Sequence, residues 1–251
     1  MDNKVNILGV NIDMFTISEA ADRIFSFLDK DSFNMVFTPN SEIIMSAYNN
    51  PELMSILNSA SVLTADGIGV VYASRILRKP LAERCAGFDV AVALLEKLNA
   101  SEHKLFLFGG KPGIADAAKT ELLKTYPNLN IAGTRNGYFK DSESDEIVRE
   151  INNSGADIIF VCLGAPKQEE WIYKNRNKLL AKAALGIGGS LDIFAGQASR
   201  APKIMQKTGL EWLYRLAKEP WRFRRMMVLP KFGFTVILKG KRCGKTLNKS
   251  K

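Results

Sequence analysis

Short apolar runs alternate with longer amphipathic stretches along the first three quarters of the chain. FNMVFT (33–38), SVLTA (61–65), KLFLFGG (104–110), NIAGT (130–134), DIIFVCLG (157–164) and AALGIGG (183–189) each read as buried strands. Between them PNSEIIMSAYNNPELMSILN, GVVYASRIL, GIADAAKTELLKTY, SDEIVREINNSG and PKQEEWIYKNR carry apolar residues at helical spacing. Strands that alternate with helices predict βαβ units, because two parallel strands need a crossover between them. The expected fold is therefore α/β, a Rossmann-like open, mostly parallel sheet with helices on both faces. The opening VNILGVNIDMF reads as a strand pair or edge, and TISEAADRIFSFL as the helix after it. Thr16 and Glu19 have the spacing of a capping box there.

The pattern changes near residue 196. Residues 1–195 form the expected α/β domain, and 196–251 a basic, amphipathic, helical C-terminal appendage. Leu210, Leu213 and Leu216 recur at three-residue spacing and mark one apolar helix face. Pro220 is placed to start a second helix, since proline suits the first helical turn. The lysine-rich stretch 239–251 reads as an unstructured end.

Charge sharpens this division. The formal net charge is +9, but from Gly196 onward 15 Lys and Arg face only two acidic residues. A near-neutral body with a strongly basic end suits an anionic partner, and nucleic acid and an anionic membrane both fit that description. The apolar stretch 226–238 is too short for a bilayer and is interrupted by Pro230 and Lys231. The N-terminus lacks the apolar run of a signal peptide, so the expected location is cytoplasmic. Cys85, Cys162 and Cys243 are widely spaced, which suits a reducing compartment, with Cys85 and Cys162 as core filler. His103 is the only histidine and reads as a surface residue, which argues against His-based zinc sites and Ser-His-Asp triads.

In a doubly wound sheet the loops after the strands face the ligand. Here they read TPNSE (38–42), ADGIG (65–69), FGGKPG (108–113), GTRNGYF (133–139), LGAPKQE (163–169) and GIGGSLD (186–192). Glycines let backbone N–H groups approach phosphate, and a following helix adds partial positive charge. The expected ligand therefore carries a diphosphate. FGGKPG does not match the dinucleotide fingerprint, and the strand after it ends in Thr134, Arg135 and Asn136, without an acid for a ribose. Gly244-Lys245-Thr246 has no matching upstream glycine for a P-loop. The single DxD, Asp29-Lys30-Asp31, sits at a helix end before a strand and reads as a solvated turn. A sugar diphosphate used here would need arginine, lysine or helix N-termini to stabilise its leaving group, with no metal and no cofactor expected.

Taken alone, Asp66 in VLTADGIGV is either a turn residue capping the next helix or a carboxylate at the ligand edge. Arg84 is either a diphosphate clamp or a surface ion pair. Thr38 and Asn40 either bind sugar hydroxyls or cap a helix, and Gln168 is either a pocket or a surface residue.

Taken together, TPN (38–40), ADGIGVV (65–71), Arg84 with Gly87 and Asp89, LGAPKQE (163–169) and GIGGSLD (186–192) resemble the WecG/TagA/CpsF glycosyltransferases, glycosyltransferase family 26. The motifs run in order along essentially the whole chain. The extended basic C-terminal segment is similar to the wall teichoic acid branch. The resemblance implies an inverting, metal-independent transfer of N-acetylmannosamine from UDP to the 4-hydroxyl of N-acetylglucosamine on undecaprenyl diphosphate. It implies Asp66 as general base, with Arg84, Thr38, Asn40 and Gln168 in the pocket. It further implies Tyr138 and Asp192 at the UDP of the donor, and Arg215, Arg222 and Arg225 as appendage arginines, which are expected to meet the lipid diphosphate and the membrane. The expected partners are then the UDP-sugar, the lipid-linked acceptor and the anionic inner face of the cell membrane, to which the protein would bind peripherally, while self-association stays open.

The residues agree with that chemistry. Direct displacement needs a base for the attacking hydroxyl and cations for the departing diphosphate. A basic, aromatic segment holding Trp212, Trp221, Phe223, Met226 and Met227 has the composition of a membrane interface. Two rivals are a soluble nucleotide-sugar enzyme of epimerase type, which would turn over without lipid, and a nucleic-acid-binding module. The latter leaves the polar strand-end loops unexplained.

Overall fold

The computed structural model describes residues 3–202, 204–205, 208, 210–218, 223 and 227–246. It opens with an antiparallel hairpin, β1 (Lys4–Ile7) and β2 (Val10–Asp13), which forms a small sheet of its own. Helix α1 (Ile17–Phe25) follows, with the Thr16–Glu19 capping box formed as expected. The main sheet contains β3 (Asn34–Phe37), β4 (Val62–Leu63), β5 (Lys104–Gly109), β6 (Asn130–Arg135), β7 (Ile158–Cys162) and β8 (Ala183–Gly186). Their spatial order is β4-β3-β8-β7-β5-β6, and every neighbouring pair is parallel. The molecule is thus the Rossmann-like α/β fold expected from the alternation.

Buried side chains alternate between the two faces of this sheet. Phe106, Phe108, Ile159 and Val161 point to one face. There they meet α2 (Ser41–Tyr48), α3 (Pro51–Asn58), α4 (Ile68–Ile76), α7 (Ser144–Ser154) and α8 (Lys167–Asn175). Leu105, Leu107, Ile158 and Phe160 point to the other face, beneath α1, α5 (Gly87–Asn99), α6 (Ile114–Thr125) and α9 (Ser190–Phe194). Strands covered on both sides read as continuous apolar runs, which explains why they were legible.

Local chemistry accounts for two departures from the pattern. The stretch 39–58, helical throughout by spacing, is two helices. Asn50 caps the second through Glu52 N and Leu53 N, and Pro51 occupies its first turn, so the chain turns between them. Helix α5, over which the strand-and-helix series passes, begins at Gly87 and buries Val90, Ala91, Leu94, Leu95 and Leu98. The hairpin does not extend the main sheet. Instead the buried Asp13 carboxylate accepts from Leu63 N at 2.8 Å and pairs with Lys4 at 3.2 Å, covering the short edge strand β4.

Two further helices, Glu211–Lys218 and Val228–Thr246, follow the sheet. The second packs on α2, α4 and β1, and its Phe232 and Val236 join the core of the first face. It takes in residues 239–246, the first part of the stretch expected to be unstructured. Pro220, Trp221, Arg222, Arg225 and Met226 lie outside the described residues, and Arg215 lies on the Glu211–Lys218 helix. Among the described residues no helix is long and apolar enough to cross a membrane.

Candidate active site

Because all six strands run parallel, the six strand-end loops, five of them glycine-bearing, gather at one edge of the sheet. The chain after β3 enters α2 on one face and the chain after β8 enters α9 on the other, although the two strands are neighbours. That divergence opens a crevice at the carboxyl ends of β3 and β8.

Three of these loops are tied together there. Thr38, buried at the end of β3, donates its hydroxyl to the Gly186 carbonyl at 3.1 Å. Asn40 caps α2, its Oδ1 accepting from Glu42 N and Ile43 N, both at 3.0 Å. Asp66 N donates to the Pro39 carbonyl at 3.2 Å, which brings the ADGIG loop against the TPN loop. Gly67 follows with φ +88°, a conformation that strains a side-chain-bearing residue, and it leads directly into α4. Behind Thr38 the backbone of Gly87 comes so close that a Cβ would lie 2.7 Å from the threonine hydroxyl.

Gln168 is buried beside the crevice, 3% exposed, and both ends of its amide are engaged. Its Oε1 accepts from Gly188 N at 3.0 Å, and its Nε2 donates to Glu169 Oε1 at 3.0 Å. Glu169 is fully buried and its Oε2 has no hydrogen-bond partner among the described residues. Burial pushes its pKa up to about 7, against the opposing pull of the Gln168 amide.

Arg84 reaches the same crevice within an alternating network of charge. One guanidinium nitrogen meets Asp89 at 3.0 Å and the other meets Glu211. Asp89 is also gripped by both terminal nitrogens of Arg200, whose guanidinium lies 4.6 Å over the Phe88 ring. Burial works against the charge on Arg84, but Glu211, Asp66 and Asp89 together hold its pKa above the ordinary arginine value.

The structure therefore brings together Thr38, Asn40, Asp66, Arg84 and Gln168. It places Tyr138 farther along the same edge and Asp192 on the β8 side of the crevice. Tyr138 follows β6, is 67% exposed, and borders an open groove of about 520 Å³ shared with Phe139, Leu163 and Lys167. Lys167 stands 4.3 Å over the Phe139 ring there. Asp192 lies in the first turn of α9, which follows β8, one of the two strands that flank the crevice.

Helix ends give the edge its electrostatic character. α4, α5, α6 and α8 all start here and none has a side-chain cap, whereas α1, α2 and α3 are capped by Thr16, Asn40 and Asn50. Uncapped N-termini present partial positive charge to an anion. Asp29 and Asp31 lie at the opposite end of the strands, beside His103 at 3.5 Å and Lys182 at 2.8 Å. His103 is half-buried there, away from the site. Burial pushes the Cys85 and Cys162 thiols up to about 12, so both are core residues and neither is a thiolate nucleophile near neutral pH. Among the described residues no cluster of His, Cys, Asp and Glu suits a metal ion.

Lys167, Glu169, Arg200 and Glu211 escape the sequence reading. The first two sit inside LGAPKQE and were available from that motif. Arg200 and Glu211 reach the site by contacts across more than a hundred residues, which no local spacing encodes.

Comparison with known proteins places the chain in a family. Residues 5–246 match the profile of the glycosyl transferase WecG/TagA/CpsF family. A Staphylococcus aureus (strain MRSA252) protein named N-acetylglucosaminyldiphosphoundecaprenol N-acetyl-beta-D-mannosaminyltransferase is 38% identical over 241 residues, 95% of this chain and 94% of its own. Proteins of the same name from Bacillus spizizenii (strain ATCC 23059 / NRRL B-14472 / W23) and Bacillus subtilis (strain 168) are 37% and 36% identical, covering 86% and 84% of this chain and 83% and 82% of theirs.

Proposed function

The chain belongs to the WecG/TagA/CpsF glycosyltransferase family, and from that premise we propose that it transfers N-acetylmannosamine from UDP to N-acetylglucosamine on undecaprenyl diphosphate. The acceptor's 4-hydroxyl oxygen attacks the anomeric carbon from the face opposite the diphosphate. The bond from that carbon to the β-phosphate oxygen breaks, its electron pair leaves with UDP, and the configuration inverts. The proton of the attacking hydroxyl passes to the Asp66 carboxylate.

The observation that carries this reading is the position of Asp66. It is held against the TPN loop, within the electrostatic reach of Arg84, at the edge where the six loops meet. Thr38, Asn40 and Gln168 wall the sugar pocket, although the Asn40 oxygen and the Gln168 amide already hold protein backbone and Glu169. Their contribution is therefore shape and the polar atoms that remain. Tyr138 stacks on uracil at the open groove, and Asp192 faces the ribose end. Charge on the departing UDP is met by the uncapped helix N-termini and by Arg84, without a metal or cofactor, while Arg215, Arg222 and Arg225 of the C-terminal segment serve the lipid diphosphate and the membrane surface.

The acceptor is a membrane lipid, so the enzyme works at the inner leaflet. Exposed Trp212, Leu213, Phe223, Met227, Phe234, Ile237 and Leu238 in a strongly basic segment supply apolar and electrostatic attraction to an anionic bilayer. The decisive measurement is UDP release from UDP-N-acetylmannosamine with a short-chain lipid-diphosphate acceptor. Asp66→Asn is expected to slow it by about 10²–10⁴-fold, the usual worth of a general base. Near-full turnover in that variant removes Asp66 from the mechanism. Turnover on free sugars alone favours the soluble nucleotide-sugar reading.

A further inference from the structure

The Glu211–Lys218 helix is held to the α/β body in an unusual way. Among its described side chains only Glu211 is buried, at 8% exposed, while Trp212 and Leu213 face outward at 37% and 43%. Of the apolar face expected from Leu210, Leu213 and Leu216, Leu210 and Leu213 are exposed and Leu216 is half-buried. Its first residue makes the buried contact, and that contact is an ion pair with Arg84.

A second tie lies beside the first. Arg200, in the stretch leading from α9 toward this helix, grips Asp89 with both terminal nitrogens. Asp89 in turn holds Arg84. Tyr214 and Ser199 share a hydrogen bond at 3.2 Å across the same junction. The segment after α9 is thus fastened at two acid–base contacts to the start of α5 and the loop before it. The four groups alternate in sign, two guanidinium against two carboxylate, and are partly buried. Removing Glu211 takes away one of the two carboxylates that pair with Arg84 and weakens the tie to the helix.

We propose that Glu211 is a positioning residue for the transfer reaction, its carboxylate latching the Glu211–Lys218 helix onto Arg84 beside Asp66 at the crevice. This rests on the reaction proposed above. The latch accounts for how Arg84 serves the site while already paired: it is the hub on which the segment seats. It also sets Arg215 one helical turn beyond the anchored residue, at i+4 on the helix.

The test uses the full-length chain and the variants Glu211→Gln and Glu211→Asp, with two readouts. The first is hydrogen exchange of the amides in 211–218, which reports docking whether or not the reaction assigned is correct. The second is UDP release with lipid acceptor, resolved into kcat and KM. Glu211→Gln is expected to speed exchange of those amides at least about tenfold, to leave exchange in β5 and β7 unchanged, and to lower kcat about tenfold or more. Glu211→Asp, which keeps the charge, is expected to recover part of both. Unchanged exchange in 211–218 overturns the latch. Faster exchange with unchanged kcat overturns its role in the reaction. A rise in kcat with tighter UDP binding also overturns it, because Glu211 would then be competing with the diphosphate for Arg84. Absence of wild-type turnover, with the exchange result as expected, would count against the assigned reaction and not against the docking contact.

Discussion

At the scale of single residues, Glu169 carries the clearest pH consequence. Its carboxyl is fully buried and pushed up to about 7, from an ordinary 4.5. Between those two values the folded chain binds a proton that the unfolded chain has lost, so this group makes stability fall as pH rises through that window. Below it no penalty remains; above it the full penalty applies, of order 3 kcal/mol. Glu169→Gln keeps an acceptor for the Gln168 amide and removes the charge. It is expected to unfold at higher denaturant than wild type at pH 8, with the difference vanishing near pH 4.5, read as urea midpoints across that range. The contrast with Asp66 shows how much of the site was legible. Asp66, Thr38, Asn40 and Gln168 all stand in loops that announce themselves as polar breaks after apolar strands. Glu169 reads as one more acid in a helix start, and only the three-dimensional burial of α8 against β3 and β8 sets it apart.

At the scale of elements, two asparagines separate stability from function. Asn40 and Asn50 cap successive helices with the same geometry, each Oδ1 accepting two backbone N–H groups. Asn50→Ala is expected to cost about 1 kcal/mol of stability, the usual worth of an N-cap, with turnover per folded molecule unchanged. Asn40→Ala is expected to cost a similar amount and also to reduce UDP release, because this cap lies at the crevice beside Gly67. Urea midpoints and initial rates on the same preparations separate the two effects. Strands buried on both faces were legible because their apolar runs are unbroken. Helix α5 was not, since its apolar positions follow the polar loop 77–86 without a capping residue to mark its start. The break between α2 and α3 was signalled by Asn50-Pro51, but the apolar spacing on either side masks it.

At the scale of the whole molecule, the C-terminal region contains pieces with different attachments. The Glu211–Lys218 helix is anchored by charge, whereas Val228–Thr246 is bound into the core through Phe232 and Val236. A truncation at residue 196 would therefore strip apolar cover from α2, α4 and β1, so point changes are the sharper probe of membrane docking. Phe234→Glu with Ile237→Glu alters side chains that are 66% and 59% exposed and is expected to preserve the fold. It is expected to reduce co-sedimentation with vesicles of anionic lipid at least about tenfold, since each apolar side chain removed from the bilayer forfeits about 1.5–3 kcal/mol. Retained sedimentation would assign docking to other parts of the segment. The division of charge between body and tail was legible in the sequence, but the two modes of attachment were not, because both depend on contacts with residues distant in the chain. A helix with one side in the core and the other exposed would, under the membrane docking proposed above, tie two equilibria together. Any bilayer that grips its outer side also holds its inner side in place, so adding vesicles to the intact protein is expected to raise its unfolding temperature in proportion to lipid occupancy, with no substrate present.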